Sequence, residues 1–192
     1  MLKRLPTTHF TVQEYLAFED ASETKHEYYD GKIYDMAGSM PEHALIQMNL
    51  GGELRQQLKT TPCRVYSSEL RIGVREIDLY TYPDLTIVCG ELEHDPLSEM
   101  TVLNPIVLVE VLSRSTRAYD RGDKFKFYKK IPTLQEYVLV DSERVHVEVL
   151  SRVGRRWEIE IHNDADAVMV LEAIKCKVSL RDVYDKVTWF KG

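Results

Sequence analysis

Asp84 and Glu110 are acids set in apolar runs that read as strands, and Lys124 is a lysine on the apolar side of the helical stretch that follows. Each is costly indoors without a partner. Brought together, two carboxylates and a few waters are what a magnesium ion takes from a protein, with substrate phosphate completing its shell. Such an ion polarises a phosphoryl oxygen and makes a nucleophile of water. A fixed ammonium beside it would add positive charge or orient that water. The plainer alternative is a buried Glu110–Lys124 ion pair with no metal, since an acid in a strand is more often half of a structural pair.

The elements that must position these residues can be read locally. Ile106 to Leu112 is β-branched-rich and broken only by Glu110, which predicts a strand buried on both faces. It ends in Ser113, Arg114, Ser115 and Thr116, a helix start. The next stretch carries Arg117, Arg121, Lys124, Lys126, Lys129 and Lys130 against only Asp120 and Asp123. At about 100° per residue, Arg117, Arg121, Lys124 and Tyr128 share one face. Phe125 and Phe127 flank Lys124, so the lysine should point inward, and the basic helix should attract a phosphate backbone. Tyr82 to Cys89 predicts a further strand, with Pro83 suited only to its start or to an edge. Asp84, Thr86 and Val88 alternate onto one face of it.

Thr11 and Glu14 form a capping box that opens a short helix through about Asp20. His26 to Ala37 reads as a hairpin turning at Asp30-Gly31; Glu27, just before the turn, reads by itself as a solvated strand residue. Pro41 to about Thr60 predicts a helix with His43, Ile46, Leu50 and Leu54 on its apolar face. His43 there reads by itself as a core histidine. Gly51-Gly52 inside this helix suggests a backbone pressed close to a neighbour. Cys63–Ser67 and Leu70–Val74 are short strands, and Gly90–Leu103 is a polar loop. Glu136–Asp141, Val145–Leu150 and Trp157–Ile161 alternate as a meander. Val168–Leu171 adds a strand and Ser179–Val187 a last helix. The order predicts an α/β fold with a mixed sheet, residues 1–192 forming one domain.

The net charge of −6 argues against a surface that coats nucleic acid without specificity, though it leaves room for a local basic groove. Cys63, Cys89 and Cys176 are far apart with no C-x-x-C pair, which predicts neither a disulfide framework nor a zinc site and fits a reducing cytosol. Pro6, Thr7, Thr8 and His9 stand where a signal peptide needs an apolar core. No stretch approaches the roughly 20 apolar residues of a membrane span. A cytoplasmic protein without membrane contact is expected.

Pro83-Asp84, the run Glu110-Val111-Leu112-Ser113-Arg114-Ser115-Thr116, then Tyr119-Asp120-Arg121-Gly122-Asp123-Lys124-Phe125 and Tyr128, resemble the Uma2-type family of endonucleases, formerly the domain of unknown function DUF820. Glu27 to Gly31, Glu136 to Asp141 and His43 match the same pattern, so the resemblance covers nearly the whole chain. It implies a restriction-endonuclease-like mixed β-sheet flanked by helices, of the PD-(D/E)xK superfamily, holding an Asp, a Glu and a Lys around Mg2+ or Mn2+. Leu112 stands where that superfamily has its lysine, and Lys124 is the expected replacement. The implied activity is metal-dependent hydrolysis of phosphodiester bonds in DNA. Asp84 and Glu110 would be metal ligands, Lys124 a catalytic cation, and Glu27 and His43 supporting site residues. A homodimer is expected, because nucleases of this fold often pair subunits. The alternatives are a non-catalytic nucleic-acid-binding or interaction domain on the same fold, and a metal hydrolase acting on a small phosphate-containing substrate.

Overall fold

The structure, a computed structural model, describes residues 3–4, 9–36 and 38–191. Ala37, the end of the expected hairpin, lies outside them. Helix α1 (Val12–Asp20) opens with the Thr11–Glu14 capping box, and strands β2 (His26–Tyr29) and β3 (Lys32–Asp35) form the hairpin. Asp30 and Gly31 both take positive φ, 46° and 76°, as a tight two-residue turn demands. A short β1 (Lys3–Arg4) pairs with β3. Helix α2 (Pro41–Gln57) buries Ile46, Leu50 and Leu54 as its periodicity requires. Gly51 is pressed against Leu85, where an added Cβ would lie 3.2 Å from a side-chain carbon, whereas Gly52 faces open space.

Strands β4 (Cys63–Ser67), β5 (Arg71–Val74), β6 (Leu79–Thr81) and β7 (Leu85–Cys89) follow. The expected loop at Gly90–Leu103 instead contains β8 (His94–Asp95) and β9 (Ser98–Val102), because β9 finds a parallel partner in β5 that no local pattern announces. Strand β10 (Val107–Leu112) leads into three consecutive helical segments: α3 (Arg117–Tyr119), a π-turn (Asp120–Lys124) and α4 (Phe125–Tyr128). Strands β11 (Glu136–Asp141), β12 (Val147–Val153) and β13 (Arg156–His162) make the meander; β14 (Val168–Leu171), β15 (Cys176–Ser179) and α5 (Leu180–Val183) complete the order.

The strands form two large mixed sheets, not one. The first runs β1-β3-β2-β6-β5-β9-β8, the second β13-β12-β11-β10-β7-β4, with β14-β15 as a separate hairpin. Strand β10 sits inside the second sheet, parallel to β11 and antiparallel to β7. Val107, Val109 and Val111 face a core shared with α2, α5 and β14-β15, while Leu108 and Leu112 face a second core with Tyr128, Ile131 and residues of the first sheet. A third cluster, Tyr15, Leu16, Tyr28, Ile33 and Tyr80, fixes α1 to the first sheet.

Cys63 and Cys89 correct the expectation of unpaired cysteines. They lie 26 positions apart, but the antiparallel register of β4 and β7 sets them opposite each other, and they are joined by a disulfide. Cys176 is buried and free. Among the described residues no helix is long and apolar enough to cross a membrane.

Candidate functional site

Alternation along β10 puts Glu110 on the face of Leu108 and Leu112, where it is 5% exposed. The chain that leaves β10 returns over this face as a helix. There Lys124 Nζ lies 2.8 Å from Glu110 Oε1, and the Tyr128 hydroxyl donates to the same oxygen at 2.9 Å. Glu27, on β2 of the other sheet, comes within 3.5 Å of the ammonium. The Thr81 hydroxyl at the end of β6 donates to Glu27. Glu27 is therefore a buried residue at the seam between the two sheets and not a solvated one.

A π-turn spans Asp120–Lys124. A π-turn inserts an extra residue into the helical repeat and rotates what precedes it. Asp120 and Lys124, four residues apart, share a face and point inward together, 3.6 Å apart, and Asp120 is 3% exposed. The Tyr137 hydroxyl on β11 donates to the Asp120 carbonyl at 3.2 Å, giving a partner to a backbone group of the irregular turn. The two arginines expected to share the face of Lys124 leave it. Arg117 turns to Asp141 and Glu143, and Arg121 to Glu148. Lys126 pairs with Asp123, Lys130 meets Glu76, and Lys129 lies over the Phe125 ring. Much of the basic charge expected to face a phosphate backbone is engaged within the protein.

Asp84 stands one residue before β7, because Pro83 keeps the chain out of the ladder until Leu85. Its Oδ2 accepts the Val111 amide at 2.7 Å and lies 3.2 Å from His43 Nε2. Gln47, one turn further along α2, donates to the Asp84 carbonyl at 2.6 Å. His43 therefore belongs to the carboxylate group and not to the dry apolar face of α2. Its imidazole pKa is raised: burial opposes the charge, but the Asp84 carboxylate outweighs burial.

Glu27, Asp84, Glu110, Asp120, Lys124 and His43 line one cleft of about 1270 Å3, with Ser113, Arg114 and Tyr119 along its wall. Burial pushes Glu110 and Asp120 above the usual carboxylate range, with Lys124 pulling the other way. Burial alone would lower the Lys124 pKa, but Glu110, Glu27 and Asp120 outweigh it and hold the ammonium charged. Glu27, Asp84, Glu110 and Asp120 thus lie around Lys124 and His43, with more acids than cations in this group. The charge balance and the all-oxygen acidic donors suit a hard divalent ion. One oxygen of each expected ligand, Glu110 Oε2 and Asp84 Oδ1, accepts no hydrogen bond from the described residues. Among those residues no three His, Cys, Asp or Glu side chains close on a single ion position. Magnesium requires no such cage, since it keeps several waters and takes one or two carboxylates.

All five residues singled out from the sequence are brought to this cleft. Asp120, Thr81, Gln47 and Tyr128 belong with them and were not singled out as site residues. The acid-to-lysine i, i+4 spacing of Asp120 and Lys124 is the signal that could have found Asp120.

Several known proteins are similar. An uncharacterised protein of Synechocystis sp. is 38% identical over 144 residues, which is 75% of this chain and 75% of that protein. A second from the same organism is 35% identical over 148 residues, 77% of this chain and 84% of that one. The crystal structure of a putative nuclease belonging to DUF820 from Anabaena variabilis superposes with a TM-score of 0.75 at 20% identity, covering 93% of this chain and 98% of the other. That likeness establishes the DUF820 nuclease fold. Residues 12–181 match the family described as Uma2, putative restriction endonuclease, and the chain belongs to that family.

Proposed function

We propose that this protein is a metal-dependent endonuclease that hydrolyses phosphodiester bonds in DNA, using Mg2+ or Mn2+. The observation that carries the reading is the buried Lys124 ammonium, 2.8 Å from Glu110 in a cleft that Asp84 also lines. Asp84 and Glu110 would hold the cation through the oxygens left free of protein donors. A cation there supplies Lewis-acid polarisation of the phosphoryl group and eases deprotonation of water. Lys124 stabilises the negative charge that grows on the phosphoryl oxygens as a P–O bond forms to water and the bond to the leaving ester oxygen breaks. Glu27 and Asp120 hold the ammonium in place, and His43 orients Asp84. Tyr128 fixes Glu110 by its hydroxyl.

Residues 1–192 are read as one nuclease domain, cytoplasmic and working as a homodimer on duplex DNA. Light scattering at micromolar concentration should report twice the chain mass; monomer alone would refute the dimer.

The test of function is cleavage of supercoiled plasmid with Mg2+ or Mn2+, its loss in EDTA, and its loss in Lys124→Met. A second reading, a non-catalytic interaction domain on the same fold, is favoured by the internal pairing of Arg117, Arg121 and Lys126. It predicts no divalent-ion stabilisation and no cleavage by the wild type.

A further inference from the structure

A second buried polar cluster adjoins the cleft, which Tyr82 also lines, and the hydrolytic reading does not use it. Glu19, in the last turn of α1, is 7% exposed. Its Oε1 accepts the His26 amide at 2.9 Å and the Tyr82 hydroxyl at 2.8 Å, while Oε2 lies 2.9 Å from His26 Nδ1. Tyr15, one turn earlier, donates its hydroxyl to the His26 carbonyl at 2.7 Å. Arg71 on β5 reaches Thr101, Ser98 and Asp20, and its Nη1 lies 3.5 Å from the Tyr82 hydroxyl. Taking a carboxylate and a guanidinium out of water is expensive, and well-packed apolar residues often serve stability as well or better. What sets this cluster apart is where its bonds land.

His26 immediately precedes Glu27 on β2, and neighbouring residues of a strand point to opposite faces. His26 therefore turns toward Glu19, and Glu27 turns into the cleft. Tyr82 sits in the segment between β6 and β7, a short covalent crossing from one large sheet to the other. Thr81 on one side of it bonds Glu27, and Pro83-Asp84 on the other side leads to the Val111 amide and His43. One carboxylate thus bonds both the strand that carries Glu27 and the crossing that carries Asp84.

We propose that Glu19 is a positioning residue that acts through His26 and Tyr82 to fix Glu27 and Asp84 against Glu110 and Lys124 across the seam of the two sheets. Its effect on cleavage rests on the hydrolytic reading; its effect on the geometry of the seam does not. Constellations of this kind must be held to within about 0.5 Å by a supporting shell, and the seam itself is crossed here by a short peptide segment.

The experiment compares wild type, Glu19→Gln and Tyr82→Phe by amide hydrogen exchange without metal, by Mn2+ titration, and by kcat and KM on a DNA oligonucleotide. Glutamine keeps an acceptor at the Oε1 position but removes the charge and puts an amide NH2 where Oε2 faces His26 Nδ1, and phenylalanine removes the Tyr82 donor while keeping the ring. Both variants should speed exchange at the Val111 amide, which bonds Asp84, and leave β12 and β13 unchanged. Mn2+ affinity should fall about 10- to 100-fold, as for other outer-shell partners of metal ligands, and kcat should fall with KM nearly constant. Val178→Ala, in the β14-β15 hairpin, controls for general loss of stability; an equal fall in Mn2+ affinity there would overturn the proposal. Should Glu19→Gln fail to fold, Tyr82→Phe tests the same link alone. If wild type binds Mn2+ and cleaves while the variants match it, the clamp is refuted and the hydrolytic reading survives. If wild type neither binds nor cleaves but Val111 exchange still responds, the clamp stands and the hydrolytic reading falls.

Discussion

The Lys124 ammonium reaches Glu110 Oε1 at 2.8 Å across the gap between a strand and the helix that follows it. A lysine two residues after the acid would have come from the same strand; here Leu112 fills that place and packs in the core. The cation has moved to another element while its position beside the acid is kept. Lys124→Met retains the aliphatic stem and removes only the charge. Cleavage should fall by about 100-fold or more, the scale of losing one electrostatic stabiliser, while metal affinity stays near wild type because an ammonium does not ligate magnesium. Lys126→Ala, whose side chain pairs with Asp123 at the surface, is the control. Full activity in Lys124→Met, or loss in Lys126→Ala instead, would remove Lys124 from the mechanism.

Asp84→Ala and Glu110→Ala should each weaken Mg2+ or Mn2+ binding. Their stability effects should differ. Glu110→Ala leaves Lys124 facing Glu27 and Asp120, which still balance its charge. Asp84→Ala strips the Val111 amide of its acceptor and should cost about 1–3 kcal/mol in metal-free protein. Calorimetric titration and urea unfolding check both. Unchanged metal affinity in either variant strikes that residue from the ligands.

Local chemistry made much of this fold legible. The capping box at Thr11, the turn at Asp30-Gly31 and the apolar face of α2 are each set within a few residues, and each stands as read except that His43 leaves the α2 face for Asp84. Strands β6 and β9 are not announced locally because they pair with β2 and β5, distant in sequence, and β8 is a two-residue strand at the sheet edge that pairs with β9. The division into two sheets was hidden for the same reason. In the site, Asp84, Glu110 and Lys124 stood out because charge in an apolar run demands a partner. Asp120 stands four residues before Lys124, the spacing at which helical side chains meet, but it lies in a polar, basic stretch and not in an apolar run, so its charge does not stand out. Cys63 and Cys89 meet through register alone.

His43 supplies a pH signature in the metal-free protein. Its folded pKa is raised above the ordinary 6.5, because Asp84 outweighs the effect of burial. A group whose pKa rises on folding stabilises the native state fully below its unfolded pKa, and that contribution fades as pH rises through the folded value. His43→Gln cannot take up the charge. The stability gap between wild type and His43→Gln should therefore be widest below pH 6.5 and close at higher pH. Urea midpoints across this range check the sign; a gap that widens with rising pH would mean that His43 is held neutral.

Tyr128 tests whether Glu110 is anchored by more than its ion pair. The hydroxyl donates to Glu110 Oε1 at 2.9 Å and lies 3.5 Å from the Thr81 hydroxyl, while the ring packs edge-on against Tyr137 with centroids 5.3 Å apart. Tyr128→Phe keeps that ring contact and deletes one hydrogen bond to a charged acceptor. Such a bond contributes about 1.5–3 kcal/mol, so the urea midpoint should fall accordingly with little change in the slope of the transition. The loosened carboxylate keeps Lys124 as its partner, and the other oxygen remains as before. Metal affinity should then fall much less than in Glu110→Ala, while the cleavage rate drops as Glu110 samples more than one orientation. Wild-type stability in Tyr128→Phe would show that the hydroxyl adds nothing to the anchoring of Glu110. A loss of metal binding as large as that of Glu110→Ala would instead make Tyr128 essential to holding the carboxylate in place.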